Sequence, residues 1–254
     1  MGFSKLAQVY SRFNDESAYF DWITFVEQSL DKRPYTLLDL ACGTGVLTEM
    51  MGALADEIIG IDLSPEMIFQ AQETLVHPYS NVSFRVADMT QSSAYQWVEG
   101  YDVITCFLDS LCFLEDETQL SQTFHQVYQH LSERGQFLFD VWTPYHIRYG
   151  FNGFEYFDYD ESTALLWESY PTEALEEIVV EHDLTLFIQK NGNLYERTNI
   201  TLVERSYPLE VYMHHLTEAG FAQDDIQVYV NHGREIYDPS RHHETPRWFF
   251  RCYK

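Results

Sequence analysis

Four carboxylates stand at the ends of short apolar runs. Asp39 follows Leu37-Leu38, Asp62 follows Ile58-Ile59-Gly60-Ile61, Asp88 follows Val86-Ala87, and Asp140 follows Phe137-Leu138-Phe139. An acid at the carboxyl end of a buried parallel strand faces the edge where α/β sheets bind ligands, as an acceptor for sugar hydroxyls or an exocyclic amine. The first acid leads into Ala41-Cys42-Gly43-Thr44-Gly45 and then a helical pattern, Val46 to Met50. A glycine turn at a helix N-terminus lets backbone approach a nucleotide-like ligand without a Cβ in the way. Asp62 comes seventeen residues after Gly45, where a ribose diol is expected.

Two dinucleotide-type readings compete for this turn. A nicotinamide fingerprint wants G-x-G-x-x-G, and the third position here is Thr48. That fingerprint also has no use for an acid four residues before its first glycine, where Asp39 stands. The pattern Asp-x-Ala-x-Gly-x-Gly from Asp39 to Gly45 instead resembles the signature of class I S-adenosylmethionine-dependent methyltransferases. That family usually has glycine where Ala41 stands, and alanine is expected to narrow the turn only slightly. Three further segments resemble the family in order and spacing: Ile61 to Met67, Val82 to Met89 and Tyr101 to Phe107. A fifth strand, Gln136 to Val141, follows in place.

The resemblance implies a doubly wound, mostly parallel Rossmann-like sheet and S-adenosylmethionine as cofactor. It implies that Asp62 accepts from the ribose hydroxyls and Asp88 from the adenine amine, with Leu63 and Met89 on the ring faces. Ala41, Cys42, Gly43 and Gly45 would lie along the methionine portion, and Asp39 would organise the turn or help receive the amino group. Phe107 and Leu108 would border the cofactor, and Tyr10 would touch it from a covering helix. On the acceptor side Asp109 and Ser110 follow the fourth strand, and Trp142, Tyr145, His146 and Arg148 follow the fifth. Of these, Asp109, Trp142 and His146 are the substrate-binding candidates. His146 is either a base or a solvated loop residue. Phe107 to Ser110 lacks the Asn/Asp-Pro-Pro-Tyr signature of enzymes acting on planar amide or adenine nitrogens. No catalytic residue is assigned.

These residues require five parallel strands, at Thr36 to Leu40, Glu57 to Ile61, Val82 to Ala87, Tyr101 to Cys106 and Gln136 to Val141. Ser64 and Pro65 form a strong helix start. Leu120, Phe124, Val127 and Leu131 fall on one helical stripe. Residues 1–34 read as amphipathic lid helices, broken near Asn14-Asp15-Glu16. The core is expected at 35–149 and 207–254, with strands at Ile226 to Val230 and Arg247 to Tyr253 after a helix begun by Pro208. Between them, residues 150–206 read as an antiparallel insertion of roughly four strands. Ile178, Val180, Leu184, Leu186 and Ile188 alternate there with Glu181, Asp183, Thr185 and Gln189, before an Asn191-Gly192 turn. The insertion is expected to dock on the main sheet because so few strands lack an independent core. Its aromatic residues Phe151, Phe154, Tyr156, Phe157 and Tyr159 read either as a cage for an amine cation or as packing and dimer contact.

The 254 residues carry 40 acidic and 15 basic side chains, a formal charge of −25. Without a Lys/Arg cluster such a surface repels phosphate backbones, which argues against nucleic acid. It serves solubility or the steering of a cationic substrate. No apolar run is long enough to span a bilayer, and no signal peptide is seen. Four cysteines without a C-x-x-C pair fit a reducing cytoplasm. His242-His243, with Asp238 or Glu244, lacks a recognised ligand spacing, so no metal is expected. The expected activity is methyl transfer to a small-molecule acceptor by a monomer or homodimer. The rivals are a cofactor-binding protein without turnover and an NAD(P)-dependent oxidoreductase.

Overall fold

A computed structural model of the protein describes residues 19–30, 36–74, 81–172, 174 and 177–254. Helix α1 (Tyr19–Ser29) precedes β1 (Thr36–Leu40), α2 (Val46–Met50), β2 (Glu57–Asp62), α3 (Pro65–Thr74) and β3 (Val82–Val86). Then come β4 (Tyr101–Cys106), α4 (Glu117–His130) and β5 (Leu131–Trp142). Strands β6 (Glu155–Tyr159), β7 (Thr163–Pro171), β8 (Val179–Gln189) and β9 (Tyr195–Arg205) follow. The chain ends with α5 (Leu209–Ala219), β10 (Ile226–Val230), β11 (Glu235–Ile236) and β12 (Arg247–Tyr253).

The larger sheet has the order β11-β10-β12-β5-β4-β1-β2-β3. Strands β3, β2, β1, β4 and β5 are mutually parallel, and β12 runs antiparallel to both β5 and β10. Alternation sorts the side chains between two helix layers. Leu38, Leu40, Ile59, Ile61, Ile104 and Phe139 face the core shared with α4 and α5. Leu37, Ile58, Val103 and Leu138 face the one beneath α1, α2 and α3. With both faces covered, the parallel strands carry nearly unbroken apolar runs. The short β11 has no counterpart in the sequence reading. Leu131, expected on the helical stripe, instead opens β5.

The Ser64 cap read from the sequence forms, and a second cap stands at α4. The Ser64 hydroxyl accepts the Met67 N–H at 3.2 Å, capping α3, and Asp116 caps α4 by accepting the Gln119 N–H at 2.9 Å.

The second sheet is an antiparallel meander, β6-β7-β8-β9. Its inner face is apolar at one end, where Leu165, Leu184, Leu186 and Ile200 pack together. At the other end Val180 joins Ile147 and Phe151, against which Trp142 of β5 packs. The meander therefore meets the large sheet through the segment that follows β5.

Candidate active site

The turn after β1 joins it directly to α2. Ala41, Gly43 and Gly45 all sit at positive φ, +54°, +57° and +80°. The two glycines serve different needs. A Cβ on Gly43 would meet no atom within 4 Å, so space lies open above it. A Cβ on Gly45 would strike the Phe84 ring at 2.5 Å, so that position is glycine for packing of α3 and β3. Ala41 corrects the sequence expectation. Its departure from glycine is a left-handed backbone on an L-residue, a strain of about 1–2 kcal/mol, rather than a narrowing of the turn.

Strand β2 holds the turn in place. The Cys42 N–H donates to the Ile61 carbonyl at 2.8 Å, and the Gly43 N–H donates to Asp62 Oδ2 at 2.9 Å. Asp62 Oδ1 accepts the Ser64 N–H at 2.8 Å. Burial pushes the Asp62 carboxyl up, and these two N–H groups oppose the shift. Asp39 lies deeper, buried in the core, where it accepts hydroxyl protons from Thr48 at 2.5 Å and Thr105 at 2.7 Å. Burial raises its carboxyl to about 6 against the two hydroxyls, which lower it. Asp39 therefore ties α2 to β4 and organises the turn. Thr48, which broke the nicotinamide fingerprint, is its partner. Cys42 stays a thiol, since burial and the nearby Asp39 and Asp62 push its ionisation up.

At the next strand end, Asp88 Oδ1 accepts the Thr90 N–H at 2.9 Å and the Thr90 hydroxyl at 2.8 Å. The Tyr95 hydroxyl donates to the Met89 carbonyl at 2.8 Å. The Ala87 N–H donates to the Asp62 carbonyl, so the second and third strand ends are coupled. Leu63 projects an apolar side chain that is 70% exposed beside them. Exposed leucine next to an open glycine and a carboxylate suits a nucleoside with two apolar ring faces.

In the turn after β4, Leu108 and Asp109 are both left-handed, at φ +57° and +54°. Asp140 secures this turn, accepting the Leu108 N–H at 2.8 Å, the Asp109 N–H at 3.1 Å and the Trp22 indole N–H at 2.8 Å. Arg247 of β12 pairs with Asp140 through Nη1 and with Asp109 through Nη2, the latter at 2.7 Å. Its guanidinium lies 3.6 Å above the Trp142 ring. Charge-assisted hydrogen bonds of this kind are the strong ones and offset two strained residues. Phe107, expected to border the cofactor, buries its ring beneath α1 near Phe25.

Asp109, Trp142 and His146 are brought together. His146 stacks on Trp142 with centroids 4.4 Å apart and meets Phe151 edge-on at 4.6 Å. Burial lowers its ionisation, while the Asp109 charge opposes that shift. Tyr10 lies outside the described residues. The five aromatic residues of the insertion divide. Phe151 and Phe154 turn inward, whereas Tyr156, Phe157 and Tyr159 are exposed, the last two stacked on each other. His242 accepts the Asp238 N–H at 2.9 Å and meets Glu235 at 3.1 Å, while the exposed His243 lies 3.8 Å from Glu244. Among the described residues no three His, Cys, Asp or Glu side chains gather as a metal cluster would.

Sequence reasoning missed Arg247, His182 and Glu204. Arg247 reaches the site through its pairing opposite Trp142, for which no local pattern exists. His182 did leave a signal: it is the polar residue within the apolar register Val180, Leu184, Leu186 of β8. It is wholly buried, its Nδ1 lying 2.8 Å from the Ser169 hydroxyl and accepting the Trp167 indole N–H at 3.1 Å. Glu204, on the same face of β9, lies 3.6 Å from His182 Nε2.

A five-stranded parallel sheet extended by three strands that pair antiparallel in turn, with an open glycine turn and acids at its strand ends, is the architecture of a Rossmann-like methyltransferase. The family model described as "Methyltransferase domain" matches residues 37–135. A putative methyltransferase of a Geobacillus species is 31% identical over 230 residues, covering 89% of this chain and 91% of the relative. The putative methyltransferase YqeM of Bacillus subtilis is 29% identical over 254 residues, covering 100% and 98%. Among solved structures, an S-adenosylmethionine-dependent methyltransferase from Clostridium acetobutylicum superposes with a TM-score of 0.77 at 22% identity, covering 98% of this chain and 95% of that one. The chain belongs to the class I S-adenosylmethionine-dependent methyltransferases, and S-adenosylmethionine is its cofactor. The oxidoreductase reading of the glycine turn is set aside. No described helix is long and apolar enough to cross a membrane.

Proposed function

We propose that the turn from Ala41 to Gly45, with Asp62, Leu63, Asp88 and Met89, holds the cofactor, and that a small-molecule acceptor enters beside Asp109, Trp142 and His146. The open space above Gly43, next to the Asp62 carboxylate, carries this reading. Each Asp62 oxygen uses one lone pair on protein N–H, leaving capacity for the two ribose hydroxyls. Asp88 keeps Oδ2 for the adenine amine, and Leu63 covers a ring face. When bound, the cofactor supplies a methyl group already activated on a positive sulfur. The protein's part is to align the nucleophile, fix the strand ends and exclude water. In this reading residues 35–149 and 207–254 form the transfer core, and 150–206 close the acceptor side. The four free thiols favour a reducing, cytoplasmic setting.

Calorimetric titration tests the site. S-adenosylmethionine is expected to bind and NAD is not. Asp62→Ala should weaken S-adenosylmethionine by about 1–3 kcal/mol, the loss of hydrogen bonds to a charged acceptor. Unchanged affinity in that variant places the ribose elsewhere.

A further inference from the structure

The inner face of the small sheet changes character along its length. Where it leaves the main sheet it is leucine-rich, but where it approaches Trp142 and Asp109 it presents Ser169, His182 and Glu204. Packing alone gives no reason for these polar residues. Glu204 is 4% exposed, and among the described residues its Oε2, the Trp142 Nε1 and the His182 Nε2 make no hydrogen bond. An orphaned buried polar group is costly and asks for a partner.

The chemistry of that partner follows from what Glu204 lacks. The nearby Arg247 is committed to Asp109 and Asp140. His182 gives Glu204 no positive charge: its Nδ1 accepts the Trp167 indole, and burial lowers its ionisation to about 4. Glu204 is therefore a buried carboxyl with no Arg or Lys paired to it among the described residues, pushed up by burial and then by the Asp109 charge, with the neighbouring Trp142 indole N–H opposing the shift. Phe151 packs edge-on to both Trp142 and His182, at 5.4 and 4.8 Å, so aromatic faces border the same place. A buried unpaired carboxylate among aromatic rings suits an organic cation.

We propose that Glu204 receives the nitrogen of an amine acceptor, held as its ammonium, and takes one of its protons at Oε2, with His182 as the positioning residue on Oε1. In that step an N–H bond breaks and an O–H bond forms, leaving a neutral amine with a free lone pair and a protonated Glu204. The inference rests on the methyltransferase reading and names its acceptor class.

The test uses full-length protein saturated with S-adenosylhomocysteine. Benzylamine and cyclohexylamine are titrated calorimetrically beside benzyl alcohol and cyclohexanol. The wild type is expected to bind each amine at least tenfold more tightly than its alcohol. Glu204→Gln should erase that preference, and Glu204→Asp, which keeps the charge, should retain part of it. Transfer of labelled methyl from S-adenosylmethionine to an amine pool should fall at least a hundredfold in Glu204→Gln. No preference in the wild type, a preference surviving in Glu204→Gln, or transfer confined to alcohols, phenols or carboxylates overturns the proposal. S-adenosylhomocysteine affinity, measured on the same samples, stays unchanged in both variants if only this inference fails. Its absence in the wild type marks failure of the cofactor site instead.

Discussion

On the β1–β2 side of the carboxyl edge, Asp39 and Asp62 each have both oxygens met by protein N–H or O–H groups. On the β5–β9 side, Glu204, His182 and Trp142 keep buried polar atoms without a partner among the described residues. On the first side the two acids that hold the turn are engaged by the protein before any ligand arrives. The second is built with polar demand left over. A preorganised cofactor site and an acceptor site whose last hydrogen bonds come from the substrate have these two appearances.

The contrast is sharpest at Arg247, which braces the turn after β4 and packs over Trp142. Replacing it by methionine leaves Asp140, wholly buried, and Asp109 without their cation. The expected loss is about 3–5 kcal/mol of stability, read from urea unfolding. A loss below about 1 kcal/mol would mean the pair behaves as an exposed one.

Acid titration separates Asp39 from His182 by sign. Asp39 holds its proton to about 6 when folded, against 3.8 as a free carboxyl. The native state thus binds that proton more tightly. Its contribution to stability is full below 3.8 and is lost as pH rises through about 6, a swing of about 3 kcal/mol. His182 acts oppositely, held near 4 against 6.5. Its contribution is full above 6.5 and is lost as pH falls toward 4, also by about 3 kcal/mol. Unfolding midpoints across that window should therefore rise more steeply on acidification in His182→Phe and fall more steeply in Asp39→Asn. Parallel profiles for the two variants would remove the distinction.

The same contrast explains what the sequence disclosed. Asp39, Asp62, Ser64 and the glycine turn lie within a few residues of the strands and helices they complete, so spacing alone located them. The strand ends and the change to period two near Ile178 were equally local. Asp140 was placed on the edge, but its purpose waits on Arg247 and Trp22, more than a hundred residues away in each direction. Glu204 joined the site only through pairing with β8 and the approach of that sheet to Trp142. His182 alone advertised itself, by interrupting an apolar register. Ala41 was noticed for its type, whereas its strain depends on a φ angle that residue identity does not reveal.

That strain gives the smallest expected effect. Ala41→Gly should raise stability by about 1 kcal/mol or less, since relief of the left-handed alanine is partly offset by glycine's greater freedom when unfolded. A destabilised variant would show that the Ala41 methyl packs usefully.

A crystal structure of the protein with S-adenosylhomocysteine tests the central claim most directly. The ribose hydroxyls should lie within hydrogen-bonding reach of the Asp62 carboxylate, with the amino-acid portion passing over Gly43. Ligand density away from Gly43, or a ribose with no contact to Asp62, would contradict the account.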